Sequence, residues 1–240
     1  MINVHHKNAS IEEIRAVELR RPPRAGRMWR GIPHAQLLDV LQAEFDSRAW
    51  EVTSRAFSLI RFGADLVGGL GLRLPKVTAP AGLELAMGFF ASNSMARSLQ
   101  IYAGATVTIC HNGLATGELL LARRHTIAVD LEKEIREALD HYTVASRQLG
   151  KIEAALRGRE LAAVEAEHLL CESGRRGLMP WSRVGEVDEV FRAPPHPEYG
   201  AGTSWCLLQA FTQIAQRNPP GDQLRQINGF REMLPLATAA

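Results

Sequence analysis

Cysteine is scarce in this chain: Cys110, Cys171 and Cys206 are the only three in 240 residues, widely spaced and with no CxxC pair. That pattern excludes a disulfide scaffold and leaves free thiols, expected to be mostly buried. Long apolar runs are missing too. None reaches the roughly 18 to 20 residues that span a bilayer, and the N-terminus lacks the positive start and apolar stretch of a secretory signal, so a cytoplasmic chain is expected. Charge of one sign is not in excess: the formal net charge is +2, too small to announce a nucleic-acid binder by itself, so the distribution of charge matters more than its sum. Phosphate loops are absent as well. Gly68-Gly69-Leu70-Gly71 has neither GxGxxG spacing nor a lysine followed by Ser or Thr, and reads as glycines that kink or bulge a strand.

What is present is the composition of a folded domain, 46% hydrophobic and 22% charged. Ser10 with Glu13 fits a capping box before a short amphipathic piece. Residues 1–30 then end in a basic arm, Leu19 to Arg30, where Arg20, Arg21, Arg24, Arg27 and Arg30 accumulate around Pro22-Pro23 with no intervening acid. Paired prolines forbid a helix there. The arginines suit phosphate contact, and Trp29 is placed to stack on a base.

Residues 31–240 read as one α+β domain. Leu37, Leu38, Leu41 and Phe45 recur at helical spacing over Pro33 to Phe45. Alternation then predicts strands at Trp50 to Phe62, Leu66 to Leu74, Leu83 to Phe90 and Arg97 to Tyr102, and a hairpin over Gly104 to Thr126 turning at His111-Asn112-Gly113. These make an antiparallel meander of about five or six strands. From Ile127 the period becomes helical, and residues 127–240 form a helical half. It holds a long helix running to about Gly150 with Ile127, Leu131, Ile135, Leu139 and Tyr142 on one face. A second helix over Glu160 to Cys171 carries Leu161, Val164, His168 and Cys171, a proline- and glycine-rich connector covers Pro180 to Gly202, a helix starts near Thr203, and a last one covers Leu224 to Leu234.

Candidate chemistry is thin. Cys110, His111, His125, His168 and Cys171 are the conceivable zinc ligands, but Cys110 and His111 are neighbours on a strand and point to opposite faces, so no metal site and no cofactor is expected. Cys110 with His125 lacks both a nucleophile elbow and an orienting acid. Glu12-Glu13, Glu132 with Glu134, and Asp188-Glu189 fall on solvated faces. The stronger signal is basic: Arg123-Arg124-His125 closes the last strand, Arg97 lies on a preceding one, and the arm comes from elsewhere. Convergence of these groups, with Trp29 or Tyr102 nearby, would build a groove for a single strand. The competing expectation pairs Arg123 and Arg124 with Glu132 and Glu134.

Gly88-Phe89, Ser92-Asn93, Ser98-Leu99, Gly104, Val107, Cys110-x-Asn112, Gly117-Glu118 and Arg124-His125-Thr126, with Thr203-Ser204-Trp205 and Gln209-Ala210-Phe211-Thr212 later, resemble a domain of unknown function found in phage- and plasmid-related bacterial proteins. Ser94-Met95, His111 and Gln209 depart from that pattern. The resemblance implies a mobile-element protein of the bacterial cytoplasm and carries over no catalytic residues. The order helix, meander, long helix is also similar to that of phage single-strand annealing recombinases, an analogy of element order alone. The expected function is therefore nucleic-acid binding, single-stranded DNA first, in replication or recombination, with a homo-oligomeric ring as one form it can take. The alternatives are a protein-interaction factor of a mobile element, or an enzyme built on Cys110, Asn112 and His125.

Overall fold

Short apolar runs between Glu51 and Arg123 form five strands in the computed structural model, which describes residues 9–79, 82–107, 113–218 and 220–235. They are β1 (Glu51–Ile60), β2 (Asp65–Arg73), β3 (Leu83–Ser92), β4 (Leu99–Val107) and β5 (Gly113–Arg123). Each pairs antiparallel with the next, in the sheet order β1-β2-β3-β4-β5. The helices are α1 (Ile11–Arg15) and α2 (His34–Ser47) before the sheet, then α3 (Leu131–Gly158), α4 (Ala163–Arg175), α5 (Trp181–Arg192), α6 (Ser204–Ala215) and α7 (Pro220–Met233). The architecture is thus the expected α+β meander, with a helix before it, a long helix after it and further C-terminal helices. No helix among the described residues is long and apolar enough to cross a membrane.

Register places Leu66, Leu70, Leu72, Met87, Phe89, Ile101 and Leu121 on one face of the sheet, all buried. Leu41 and Phe45 of α2 pack toward Phe57 and Leu70 there. Tyr142 of α3, fully buried, donates its hydroxyl to the Ala86 carbonyl at 3.0 Å and tilts against Trp50. Burial raises that phenol's pKa well above its ordinary value.

The register of β1 against β2 shifts between Val52 and Ser54, opposite Leu72 and Gly71, and another β2 glycine makes room for a ring. Gly68 pairs with Phe89, and a Cβ on Gly68 would overlap the Phe89 ring, which is itself completely buried. Gly68→Ala is expected to destabilise the protein by about 1 to 3 kcal/mol, the usual range for overpacking a filled core. A urea titration checks this, and an unchanged midpoint would mean that the ring moves without strain.

Three helical expectations are corrected. The long helix starts at Leu131, capped by Asp130 accepting from the Lys133 amide at 3.1 Å, so Ile127 lies outside it and is exposed. It also continues past Gly150 to Gly158, because Leu149 and Leu156 sustain the buried stripe across the roughly 1 kcal/mol cost of a mid-helix glycine. The buried face of α4 is Ala166, Leu170, Ser173 and Gly174, whereas Val164, His168 and Cys171 face solvent. Small residues win that face because Gly174 lies directly under the Trp181 ring. The connector after Pro180 contains the whole of α5, which buries Val187 and Phe191 and packs Val184 and Val190 against the core. Of the cysteines, Cys206 is buried and Cys171 exposed, while Cys110 lies outside the described residues.

Candidate functional site

An antiparallel meander delivers alternate turns to the same end. Here the β1–β2 turn (61–64), the β3–β4 turn (93–98) and the exit from β5 share one end of the sheet. The basic arm crosses that end. Trp29 forms an antiparallel bridge with Thr126, the Arg30 amide donates to the His125 carbonyl at 3.2 Å, and the Ile127 amide donates to the Met28 carbonyl at 3.0 Å. The arm is therefore held by a single-residue bridge to the segment that follows β5.

Asn93 fastens the arm from the other side. Its Oδ1 accepts from the Ile32 amide at 3.0 Å and its Nδ2 donates to the Ile32 carbonyl at 2.8 Å. The same Oδ1 lies 3.1 Å from Nδ1 of His125. Beside them His34 is buried, with Nε2 2.9 Å from the Gly63 carbonyl. Asp65, with a fully buried side chain, pairs with Arg61 at 3.2 Å and accepts from the Ser94 amide at 3.3 Å. This polar knot holds the three chain segments at fixed distances.

Between the arm, the β3–β4 turn and the β5 exit lies a cleft of about 790 Å³. Arg27, Arg97 and Arg124 line it together with Met28, Trp29 and Met95, and no acidic side chain is among its lining residues. Met28 and Met95 are about half exposed. Arg97 is positioned by the Phe90 ring, 5.4 Å from its centroid, and by Asp222 at 3.2 Å. Arg124 is exposed, with no ion pair among the described residues.

The remaining predicted site residues fall elsewhere. Arg123 turns toward α3 and pairs with Glu134 at 2.7 Å, which raises its pKa. Arg21 donates to the carbonyls of Ala25 (3.3 Å) and Gly26 (3.0 Å), closing the turn that follows the prolines. Arg20 is 3.8 Å from Glu18 in solvent, and Arg24 is exposed. Arg30 lines a smaller recess of about 230 Å³ shared with Asp130 and Glu132. Tyr102 donates to Gln100 on the same strand at 3.0 Å.

His125 differs from an exposed strand tip. It is 6% exposed at the cleft floor, and burial, reinforced by the nearby His34, pulls its pKa down to about 4. At neutral pH it is an uncharged ring held by Asn93, so it shapes the floor and supplies no charge. Trp29 is half buried with its Nε1 unpartnered among the described residues, leaving part of the indole on the cleft wall. Cys110, His111 and Asn112 lie outside the described residues; β5 runs from Gly113 to Arg123, so His125 is at the opposite end of the strand from Gly113. Among the described residues no group of three metal-ligating side chains comes together.

Sequence reading missed Asn93, His34, Asp65 and Phe62. Asn93, Phe62 and Asp65 carried only the local signal of turn chemistry, in Ser92-Asn93-Ser94 and Phe62-Gly63-Ala64-Asp65, and His34 was hidden at the start of an amphipathic helix. Compared with protein-family models, with curated proteins and with solved structures, the chain matches none.

Proposed function

We propose that this protein binds single-stranded nucleic acid in the cleft walled by its N-terminal arm, as an accessory factor in replication or recombination of a mobile genetic element. The observation that carries this reading is the lining itself: Arg27, Arg97 and Arg124 with no acid among them, beside Trp29, Met28 and Met95. Guanidinium groups that follow a phosphate backbone, with flat or polarizable apolar groups for the bases, hold a strand without reading its sequence. The genetic setting is part of the proposal and rests on the resemblance of the sequence motifs to those of phage- and plasmid-related proteins.

Fluorescence anisotropy with a labelled oligonucleotide at low and moderate salt tests this. Each phosphate neutralised contributes about −0.7 to the slope of log K against log salt for a single strand, so Arg27 and Arg124 predict a slope of about −1.4, reaching about −2 where Arg97 exchanges Asp222 for a phosphate. Arg124→Ala should make the slope shallower by about 0.7 and weaken binding roughly tenfold, as expected for a charge-assisted contact of about 1.4 kcal/mol. Absence of binding at both salt concentrations would overturn the proposal.

A further inference from the structure

The β1–β2 turn holds an aromatic ring in a place where folding makes no use of it. Phe62 is completely exposed, at 112% of its reference area. Its φ is 57°, between Arg61 at 53° and Gly63 at 85°, so three successive residues occupy the left-handed region. A bulky side chain is disfavoured there, and an exposed ring recovers nothing by burial. The turn is nevertheless firmly fixed. The Gly63 carbonyl is held by His34 at 2.9 Å, the Ala64 carbonyl accepts from the Asn93 amide at 2.8 Å, and Arg61 reaches both Asp65 and the Ser94 hydroxyl at 3.2 Å. Strain held rigidly at an exposed side chain points to use of that side chain on something outside the fold.

Its surroundings say what that something is. A second cleft of about 370 Å³ lies beside Phe62, lined by Val17, Leu19, Arg20, Gly63 and Asn93. A Cβ on Gly31 would meet both Leu19, which lines this second cleft, and Trp29, which lines the arginine cleft, so the two linings meet along a Leu19–Trp29 ridge. Ser92, next to Asn93 in the chain, lines the arginine cleft. Arg20 and Arg61 flank the ring with side chains 88% and 57% exposed, and Glu18, the acid in this lining, is answered by Arg20.

We infer that Phe62 is a base-stacking residue for the same single strand, taking up a nucleotide after the strand has left the arginine cleft and crossed the Leu19–Trp29 ridge. This rests on the nucleic-acid reading of the cleft and extends its path. The β1–β2 turn is about three to four strand spacings from the end of β5, roughly 15 to 19 Å, so only a strand of several nucleotides reaches both.

The test compares Phe62→Ala, Phe62→Asn, Phe62→Trp and Arg124→Ala with the parent, using fluorescein-labelled oligo-dT of about twelve nucleotides and of about three. Phe62→Ala should weaken the longer oligonucleotide roughly 5- to 150-fold, the measured worth of one stacked base, with an unchanged salt slope. The short oligonucleotide should bind all Phe62 variants equally. Phe62→Asn should lose the same affinity while melting no lower than the parent, since asparagine tolerates left-handed backbone. Phe62→Trp should retain binding. If Arg124→Ala weakens the longer strand and Phe62→Ala does not, the stacking role is wrong while the cleft reading stands. If the parent binds neither oligonucleotide, both fall.

Discussion

Asn93→Ala is expected to lower stability by about 3 to 5 kcal/mol, although it removes only a small side chain from a turn. Asn93 is 6% exposed and Ile32 7% exposed, so the groups they share cannot turn to water without opening the structure. Alanine would leave three polar groups unpaired: the Ile32 amide, the Ile32 carbonyl and the His125 ring N–H. Each orphaned buried group costs about 1 to 3 kcal/mol, and partial entry of water keeps the sum below three full penalties. For a chain of this size that corresponds to a melting midpoint lower by about 10 °C. Asn93→Asp should be almost as severe, because it forfeits the donor to the Ile32 carbonyl and sets a carboxylate in the knot that already buries Asp65. Amide exchange should show where the loss is felt, with Ile32 and Arg30 losing protection before the β2–β3 ladder does. A midpoint within about 2 °C of the parent would mean that Asn93 does not hold the arm.

That clamp also marks the boundary of what the sequence reveals. The strands were legible because short apolar runs bounded by turn residues recur from Trp50 to Arg123, although Arg97 to Tyr102 and the stretch from Gly104 merge into one strand, β4. Helix α6 was legible because Thr203, a cap that accepts from the Cys206 amide, precedes an apolar run. Helix α5 was not: Val184, Val187 and Phe191 do recur at helical spacing, but the prolines and glycines around them give the stretch the look of a connector. For the site, the arginines stood out by their density, and their destinations did not. Arg123 and Arg124 are adjacent, so strand geometry sends one toward Glu134 and the other into the cleft, and no local pattern says which. His125 looked like a tip residue because Arg124 precedes it. It is buried because the arm pairs with the segment that follows β5, a contact between residues almost a hundred positions apart. Asn93 looked like turn chemistry for the same reason, since its partner Ile32 is 61 residues away.

The two buried histidines of the knot predict a loss of stability in acid. His125 has its pKa pulled from 6.5 down to about 4, chiefly by burial, then by repulsion from His34, with Asp65 opposing. His34 is shifted in the same direction, again first by burial, with the Gly63 carbonyl and Asp65 opposing. His34 Nδ1 and His125 Nε2 are buried and without partners among the described residues, so a proton added to either ring would create a donor facing no acceptor. In the unfolded chain a histidine takes up its proton near pH 6.5, whereas folded His125 does so only near pH 4. Between those values the unfolded state binds more protons, so stability rises with pH across the window and levels off above it. The 2.5-unit gap corresponds to about 3 kcal/mol lost from His125 between pH 6.5 and pH 4. Urea titrations at intervals across this range should show that slope in the parent, and His125→Asn, which cannot titrate, should reduce it by up to one proton. Coincident slopes would remove His125 as the cause. Oligonucleotide binding separates the knot from simple electrostatics. Added positive charge at the cleft floor would by itself tighten binding in acid. Loss of the arm, which carries Arg27 and Trp29, would weaken it, and weakening as the pH falls toward 4, where folded His125 takes up its proton, in protein that is still folded is the outcome expected from the way Asn93, His125 and Ile32 are joined.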